Sequence, residues 1–411
     1  MESFFKVKRP DEVFEIIDNF RPTGKEKISL EDALGRVLSR DSISSEDLPG
    51  FCRSSMDGYA VNAKGTFGAS ESLPALFEVA GEVLMGQSPI IVVGDDRAAK
   101  ISTGGMLPEG ADGVVMVEYC HMLDDKTLEV TRAISPLENV IRPGDDFGQG
   151  AVVLRKGMPL RPQDLGAMAG LGQTELSVYR RPKIAIISTG DEVVPIHEQP
   201  QPGQVRDINR YTLGAFCRRL GAEPLDMGLC PDNFSSLKGM LEKALRQADA
   251  VWISGGSSVG ARDLTLKVFE ELPEFELLVH GISISPGKPT IIGKSGIQPL
   301  IGLPGHVASA LVVAEIFLTR LILRLSGHAE PGGRIHARVE AELSRNIESA
   351  NGREDYIRVK LVKKGEALIA EPIFGKSGLI SILVESDGLI RVDMNTEGLY
   401  QGQKVKVILF N

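Results

Sequence analysis

The chain is poor in cysteine: Cys52, Cys120, Cys217 and Cys230 lie far apart and form no CxxC pair. That argues against a disulfide-stapled scaffold and reads as free thiols in a reducing, cytoplasmic compartment. Histidine is scarce too, at six residues, and no His/Cys cluster supports a protein-held zinc. Positive charge is in deficit, 46 Lys and Arg against 55 Asp and Glu, so no nucleic-acid surface is expected. An anionic ligand would then need local help from a cation, a helix N-terminus or a metal. The opening MESFFKVKRP has no apolar signal segment. The most apolar stretch, residues 307–325, is interrupted by Glu315, Arg320 and Arg324. It reads as a buried helix or a subunit contact, and no membrane span is expected. No Walker sequence and no GxGxxG occur.

What is present is a set of three apolar runs with polar ends. Residues 183–187 (KIAII) end in Ser188-Thr189-Gly190-Asp191-Glu192. Residues 250–254 (AVWIS) run into Gly255-Gly256-Ser257-Ser258-Val259-Gly260, and residues 299–303 (PLIGL) into Pro304-Gly305-His306. A buried parallel strand delivers polar groups to its carboxyl edge in this way, and ligands bind at that edge in open α/β sheets. Three such ends predict one site with several walls.

With 411 residues, 42% hydrophobic and 25% charged, the chain can build about two to four ordinary globular domains. Residues 1–47 read as helical with a short extended piece. Val13, Ile16, Ile17 and Phe20 recur at helical spacing, and Ala33-Leu34 with Val37-Leu38 repeat the pattern. Short strands and turns fill residues 48–142, with Asp124-Asp125-Lys126 as a hairpin turn. Residues 143–181 return to a mixed texture, which places the β-rich piece as an insertion into the first domain. Residues 182–328 alternate strand and helix, a βαβ pattern with a mostly parallel sheet. Strict alternation follows in residues 329–411 and predicts a small all-β domain, with Arg358 on the face opposite Ile357 and Val359. The expected fold is therefore multidomain α/β plus β. It has a mixed first domain, a β-rich inserted domain, a central α/β domain and an all-β C-terminal domain.

Acids dominate the candidate site. Asp57 precedes Gly58 and fits an Asx turn as well as a ligand. Asp232 and Asp263 each precede a helical run, where an N-cap and a ligand carboxylate look alike. Asp146 follows Pro143-Gly144-Asp145 and fits a solvated turn equally. Glu192, at the end of a buried strand, should need a metal, a cation or a ligand donor. Among basic groups, Lys288 is aimed by the two prolines of Ser285-Pro286-Gly287-Lys288-Pro289, although it and Arg358 could equally be exposed cations. His306 and Ser309 open a helix, where an anion is favoured. Many acids with a few cations at strand ends suit a hard divalent metal completed by phosphate oxygens. Spacing alone reaches a cytoplasmic α/β protein that binds a phosphate-bearing ligand with magnesium.

The motifs SSMDGYA, STGGMLPEGADGVVMVE, RPGDD, STGDEVV, SGGSSVGARD, SPGKP and GLPGHVASA occur in that order. Together they resemble the molybdopterin molybdenumtransferases, which include the C-terminal domain of gephyrin, from about residue 30 to the end. The resemblance implies an enzyme that takes adenylylated molybdopterin and molybdate, with Mg2+ assisting, and releases AMP. It also implies an elongated homodimer whose site lies at the subunit boundary, with possible contacts to molybdopterin adenylyltransferase and apo-molybdoenzymes. By motif, Asp57, Asp146, Glu192 and Asp263 would be catalytic, and Asp57 and Glu192 would hold the metal. Thr103, Asp232, Ser188, Thr189, Gly255, Gly256 and Ser258 would bind substrate, while Lys288, Ser309, Arg358 and Ser377 would take the oxyanion. Asp57 and Thr103 would come from the second subunit. Against the family pattern, Ser285 and Gly281 stand where lysines are expected, and His306-Val307 where Asn-Pro is expected. Two lost cations beside a polyanion predict weaker oxyanion binding, by ~1 kcal/mol or more per contact. The alternatives this opens are a preference for tungstate, a scaffold or carrier that binds the pterin without turnover, and a different phosphoanhydride hydrolase.

Overall fold

In the computed structural model, residues 7–255, 259–332 and 337–410 are described, with backbone only at residues 259–263. The chain divides into two compact units, one of residues 1–40, 156–161 and 175–411, the other of residues 41–155 and 162–174.

The larger unit is built on a six-stranded sheet. Its strands are β1 (Lys183–Thr189), β2 (Glu223–Cys230), β3 (Ala250–Gly255), β4 (Phe275–His280), β5 (Ile291–Ser295) and β6 (Gln298–Leu303), in the order β2-β1-β3-β6-β5-β4. The first four in that order are parallel, and β5 and β4 add an antiparallel edge. Helices are α1 (Pro10–Asp18), α2 (Asn209–Arg219), α3 (Phe234–Leu245), α4 (Val259–Glu270), α5 (Val307–Val313) and α6 (Thr319–Leu325), with a π-helical turn at Ala314–Leu318 between the last two. Alternate residues of β1 serve two cores. Ile184 and Ile186 pack with Leu213, Phe216, Trp252 and Phe317, whereas Ala185 and Ile187 pack with Leu237, Leu241 and Val268. Burial on both faces is why these strands read as continuous apolar runs. Each fully buried isoleucine contributes about 1.5–3 kcal/mol.

Residues 307–325 are a core element. The charged side chains that interrupt them all have partners: Glu315 is 2% exposed and accepts from Arg219 Nη2 at 2.6 Å. Arg320 Nε donates to Asp18 Oδ1 at 2.7 Å, and Arg324 Nε to the Phe20 carbonyl at 2.8 Å. Phe317 stacks on Phe14 with centroids 5.1 Å apart.

Two local expectations are corrected. Residues 30–38 are not helical; Gly35 takes φ +71°, and Leu38 donates its N–H to the Met158 carbonyl at 3.1 Å. The apolar pairs there mimic helical spacing, but Val37 and Leu38 form bridges to Pro159 and Val178. Neither aspartate is a helix cap. Asn233 caps α3, accepting from Ser236 N–H at 2.9 Å, and α4 begins at Val259, ahead of Asp263.

The last part of this unit is a closed five-stranded barrel. β7 (Arg338–Leu343), β8 (Glu354–Lys364), β9 (Ala367–Pro372), β10 (Gly388–Val392) and β11 (Lys404–Leu409) pair in the ring β8-β9-β7-β11-β10-β8. Ala341, Leu343, Val359, Ala370, Ile390 and Val407 fill it.

The smaller unit holds a six-stranded sheet. Its strands, in spatial order, are Gly113–Met116, Gly58–Val61, Arg97–Ile101, Ala75–Glu82, Thr127–Val130 and Cys120–Met122. Asp124 Oδ1 accepts the N–H groups of Lys126 and Thr127, both at 2.8 Å, and so closes the hairpin turn between the last two. A helix spans Pro162–Gly170.

Candidate functional site

The carboxyl ends of β1 and β3 carry Ser188, Thr189 and Gly255, and Ser309 lies in the helix that follows β6. Ser188 and Thr189 are buried, at 2% and 3% exposure. Ser188 Oγ donates to Asp207 Oδ1 at 3.0 Å, and Thr189 Oγ1 donates to Asp232 Oδ1. The Asp232 N–H in turn donates to Asp191 Oδ1 at 3.1 Å. Both hydroxyls are thus engaged in holding carboxylates at the sheet edge.

Asp207 also accepts the Arg210 N–H at 3.2 Å, at the start of α2. Among the described residues its buried Oδ2 has no hydrogen-bond partner, which leaves an acceptor for an incoming donor. Two residues on, the Asn209 amide donates to Ser254 Oγ and to the Gly305 carbonyl, both at 2.7 Å. It ties the end of β3 to the turn after β6. Sequence reading missed Asp207 and Asn209, which sit in a short polar stretch, RDIN, with no periodicity to mark it.

Gly255 is required by close approach, since a Cβ there would lie 1.9 Å from the Thr189 carbonyl oxygen. Gly256, Ser258 and the side chain of Asp263 lie outside the described residues. Glu192 departs from expectation. β1 ends at Thr189, Gly190 turns the chain at φ +151°, and Glu192 is exposed. Water solvates it there, so burial no longer demands a partner.

After β6 the chain turns through Pro304-Gly305-His306 into α5, beside a cavity of about 380 Å³. Lys288, His306, Ser309, Arg353, Ser377 and Ser285 line it. His306 Nδ1 lies 2.9 Å from Ser377 Oγ, and the Ala308 N–H donates to the Ser377 carbonyl at 3.1 Å. The segment leaving the barrel is thereby fastened to the head of α5. Lys288 is exposed, on a turn made by Gly287 at φ +112°. A Cβ at Gly287 would lie 2.6 Å from Val313 Cγ2. Arg353, whose Nε is 3.0 Å from Asp355 Oδ1, was not legible from sequence because a loop cation looks like any surface arginine.

Arg358 lies on the face of β8 opposite Val359, as alternation requires, but it is not an exposed cation. It is 7% exposed, and among the described residues its Nε has no hydrogen-bond partner. Among the described residues no carboxylate pairs with it. Burial pulls its pKa down from the ordinary arginine value. A buried guanidinium without a counter-charge favours any anion that can reach it.

In the smaller unit, Asp57 is exposed and accepts from Thr103 N–H at 2.7 Å and from Thr103 Oγ1 at 3.1 Å, both on Oδ1. The backbone donor holds its carboxyl below the usual carboxylate range. Asp146 is exposed, with its N–H on the Leu48 carbonyl at 3.0 Å. The neighbouring Asp145 braces the turn instead, accepting the Arg142 N–H at 2.7 Å. Among the described residues no three His, Cys, Asp or Glu side chains gather as a metal cluster, and no helix is long and apolar enough to cross a membrane.

Three family models match in succession. They are the MoeA N-terminal region (domain I and II) over residues 8–172, the "Probable molybdopterin binding domain" over residues 185–324, and the MoeA C-terminal region (domain IV) over residues 340–410. The molybdopterin molybdenumtransferase of Haemophilus influenzae is 34% identical over 392 residues, 95% of each chain. The chain belongs to the MoeA family of molybdopterin molybdenumtransferases. Another member, the Bacillus subtilis molybdopterin molybdenumtransferase, is 28% identical over 97% of this chain and 93% of its own. The crystal structure of a MoeA molybdopterin biosynthesis protein from Pyrococcus horikosii covers 99% of this chain and 100% of its own, with 36% identity and a TM-score of 0.83.

Proposed function

We propose that this MoeA-family enzyme transfers molybdenum from molybdate to the dithiolene of molybdopterin, using the adenylylated pterin and releasing AMP, in the cytoplasm. The observation that carries the reading is the cation-lined cavity at the head of α5, together with the unpaired buried Arg358. A tetrahedral dianion is suited to fixed cations and hydroxyl donors near a helix N-terminus. In this reading Lys288, Arg358, Ser309 and Ser377 hold the oxyanion, and His306 adds a donor through the ring nitrogen not facing Ser377.

The pterin nucleotide lies along the ends of β1 and β3. Asp207 Oδ2 and Asp232 accept from its donor groups, and the Gly255-Gly256-Ser257-Ser258 loop meets its phosphates. Asp57, Asp146, Glu192 and Asp263 handle the pyrophosphate, with Thr103 fixing Asp57. Magnesium, when bound, would be held by Asp57 and Glu192 and would offset the charge of the pyrophosphate. The donors are hard carboxylate oxygens, and Asp57 keeps Oδ2 clear of its contacts with Thr103, which suits that ion. We further propose a homodimer in which Asp57 and Thr103 reach the site from the second subunit. Within each subunit, residues 1–47 with 143–181, residues 48–142, residues 182–328 and residues 329–411 act as four domains.

The test is AMP release from adenylylated molybdopterin, with molybdate and tungstate titrated separately. AMP formation that saturates with molybdate supports the reading. Tight pterin binding with no AMP formed under either oxyanion would replace it with a carrier role, and AMP formed equally well without oxyanion would replace it with hydrolysis.

A further inference from the structure

We propose that the larger unit has a second anion site, at the opposite edge of its sheet, that takes a small organic phosphate. α2 begins beside the strand ends described above and runs away from them for 11 residues, about 16 Å. At its far end, near the start of β1, lies a separate cavity of about 370 Å³. Among the described residues its lining includes Arg36, Arg180, Arg181, Arg218, Arg219 and His328, and no Asp or Glu. Such one-sided lining is notable in a chain of net charge −9.

Three of these arginines form fixed walls. Arg36 pairs with Glu26 and donates to the Tyr179 carbonyl at 3.0 Å. Arg180 meets both oxygens of Asp249, at 2.6 and 2.9 Å, and Arg219 meets Glu315 at 2.6 Å. Arg181 and Arg218 remain: both are exposed, and among the described residues neither has a counter-ion.

A bland explanation is that Arg218 only complements the C-terminal dipole of α2. The carbonyls at that end are already occupied, by the N–H groups of Leu220, Gly221 and Ala222. The end of α6 is closed in the same way by Ser326, Gly327 and His328. Little negative charge is left there for the arginines to neutralise. His328 is held towards its neutral form by burial, so its ring offers a donor whose protonation an anion would favour. Leu34, Leu220 and Leu323 supply an apolar side to the cavity. Two free guanidiniums opposite apolar surface match a phosphate group carried on an organic body, and a volume near the lower end of the usual ligand-pocket range limits that body to a small one.

AMP is the probe. Because the proposed reaction also releases AMP, the readout must be resolved by residue. Phenylglyoxal modification of the native chain, followed by peptide mass spectrometry, reports Arg181 and Arg218 individually. AMP at about ten times its Kd should slow both modifications about tenfold, and adenosine should not. The protection should persist in Lys288→Ala. In calorimetry, Arg181→Glu/Arg218→Glu should lose one class of AMP site while keeping its melting temperature. Unchanged modification rates with AMP, equal protection by adenosine, or protection that disappears in Lys288→Ala would each overturn the proposal.

Discussion

Replacing Arg358 by methionine tests how a buried, unpaired cation is used. In the free protein its guanidinium is 7% exposed, with an unpartnered Nε and a depressed pKa. A hydrophobic side chain of similar length removes the desolvation cost. Substitutions of buried charge by apolar groups are neutral to stabilising by roughly 1–4 kcal/mol, and the lower part of that range applies because some water reaches the group. We therefore expect Arg358→Met to raise stability by about 1 kcal/mol, or about 1–2 °C in melting temperature for a unit this large. The parent should gain further stability when molybdate binds, by about 2.7 kcal/mol at a hundredfold excess over Kd, and the variant should gain almost none. Scanning calorimetry with and without molybdate, with sulfate as a control, reads both effects. A variant that melts lower than the parent and keeps the full molybdate increment would refute the reasoning, since Arg358 would then be structural and indifferent to the anion.

Three further outcomes follow from the same geometry. Gly255→Ala should destabilise by more than ~2 kcal/mol in urea unfolding, because its Cβ meets the Thr189 carbonyl at 1.9 Å. Lys288→Ala should raise the molybdate concentration for half-maximal turnover about tenfold and leave the melting temperature unchanged, since the side chain is exposed. Thr103→Val removes the hydroxyl donor to Asp57 but keeps the backbone N–H, so the carboxyl pKa, followed by NMR, should rise part of the way towards its usual value. Asp57 has a depressed folded pKa, so its contribution to stability is present above the unfolded carboxylate value and is lost as pH falls through the folded one. The variant's contribution should be smaller and should be fully lost at a higher pH than the parent's.

The fold was legible wherever one physical signal dominated. Runs such as KIAII and AVWIS could only be strands buried on both faces, and Arg358 was assigned to the correct face of β8 by period-two alternation. The signal failed where two periods coincide. Val37 and Leu38 fit a helix in sequence but bridge to Pro159 and Val178, distant partners that no local window contains. Burial was also hard to foresee for polar groups. Glu192 was expected inside and is solvated, and Arg358 was open to a surface reading and is enclosed, because tertiary packing sets both. Asp207 and Arg353 lie in irregular segments and Asn209 opens α2, and only the closing of the fold brings them to strand ends or a cavity.

The pair of hydrogen bonds donated by the Asn209 amide bears on how the enzyme can move. One planar group spans Ser254, near the end of β3, and Gly305, just ahead of α5. Neither segment can shift without stretching a contact to the other. Under the proposed function, a ligand that displaces the end of β3 would therefore also tug the turn ahead of α5, so that occupancy at one place is felt at the other.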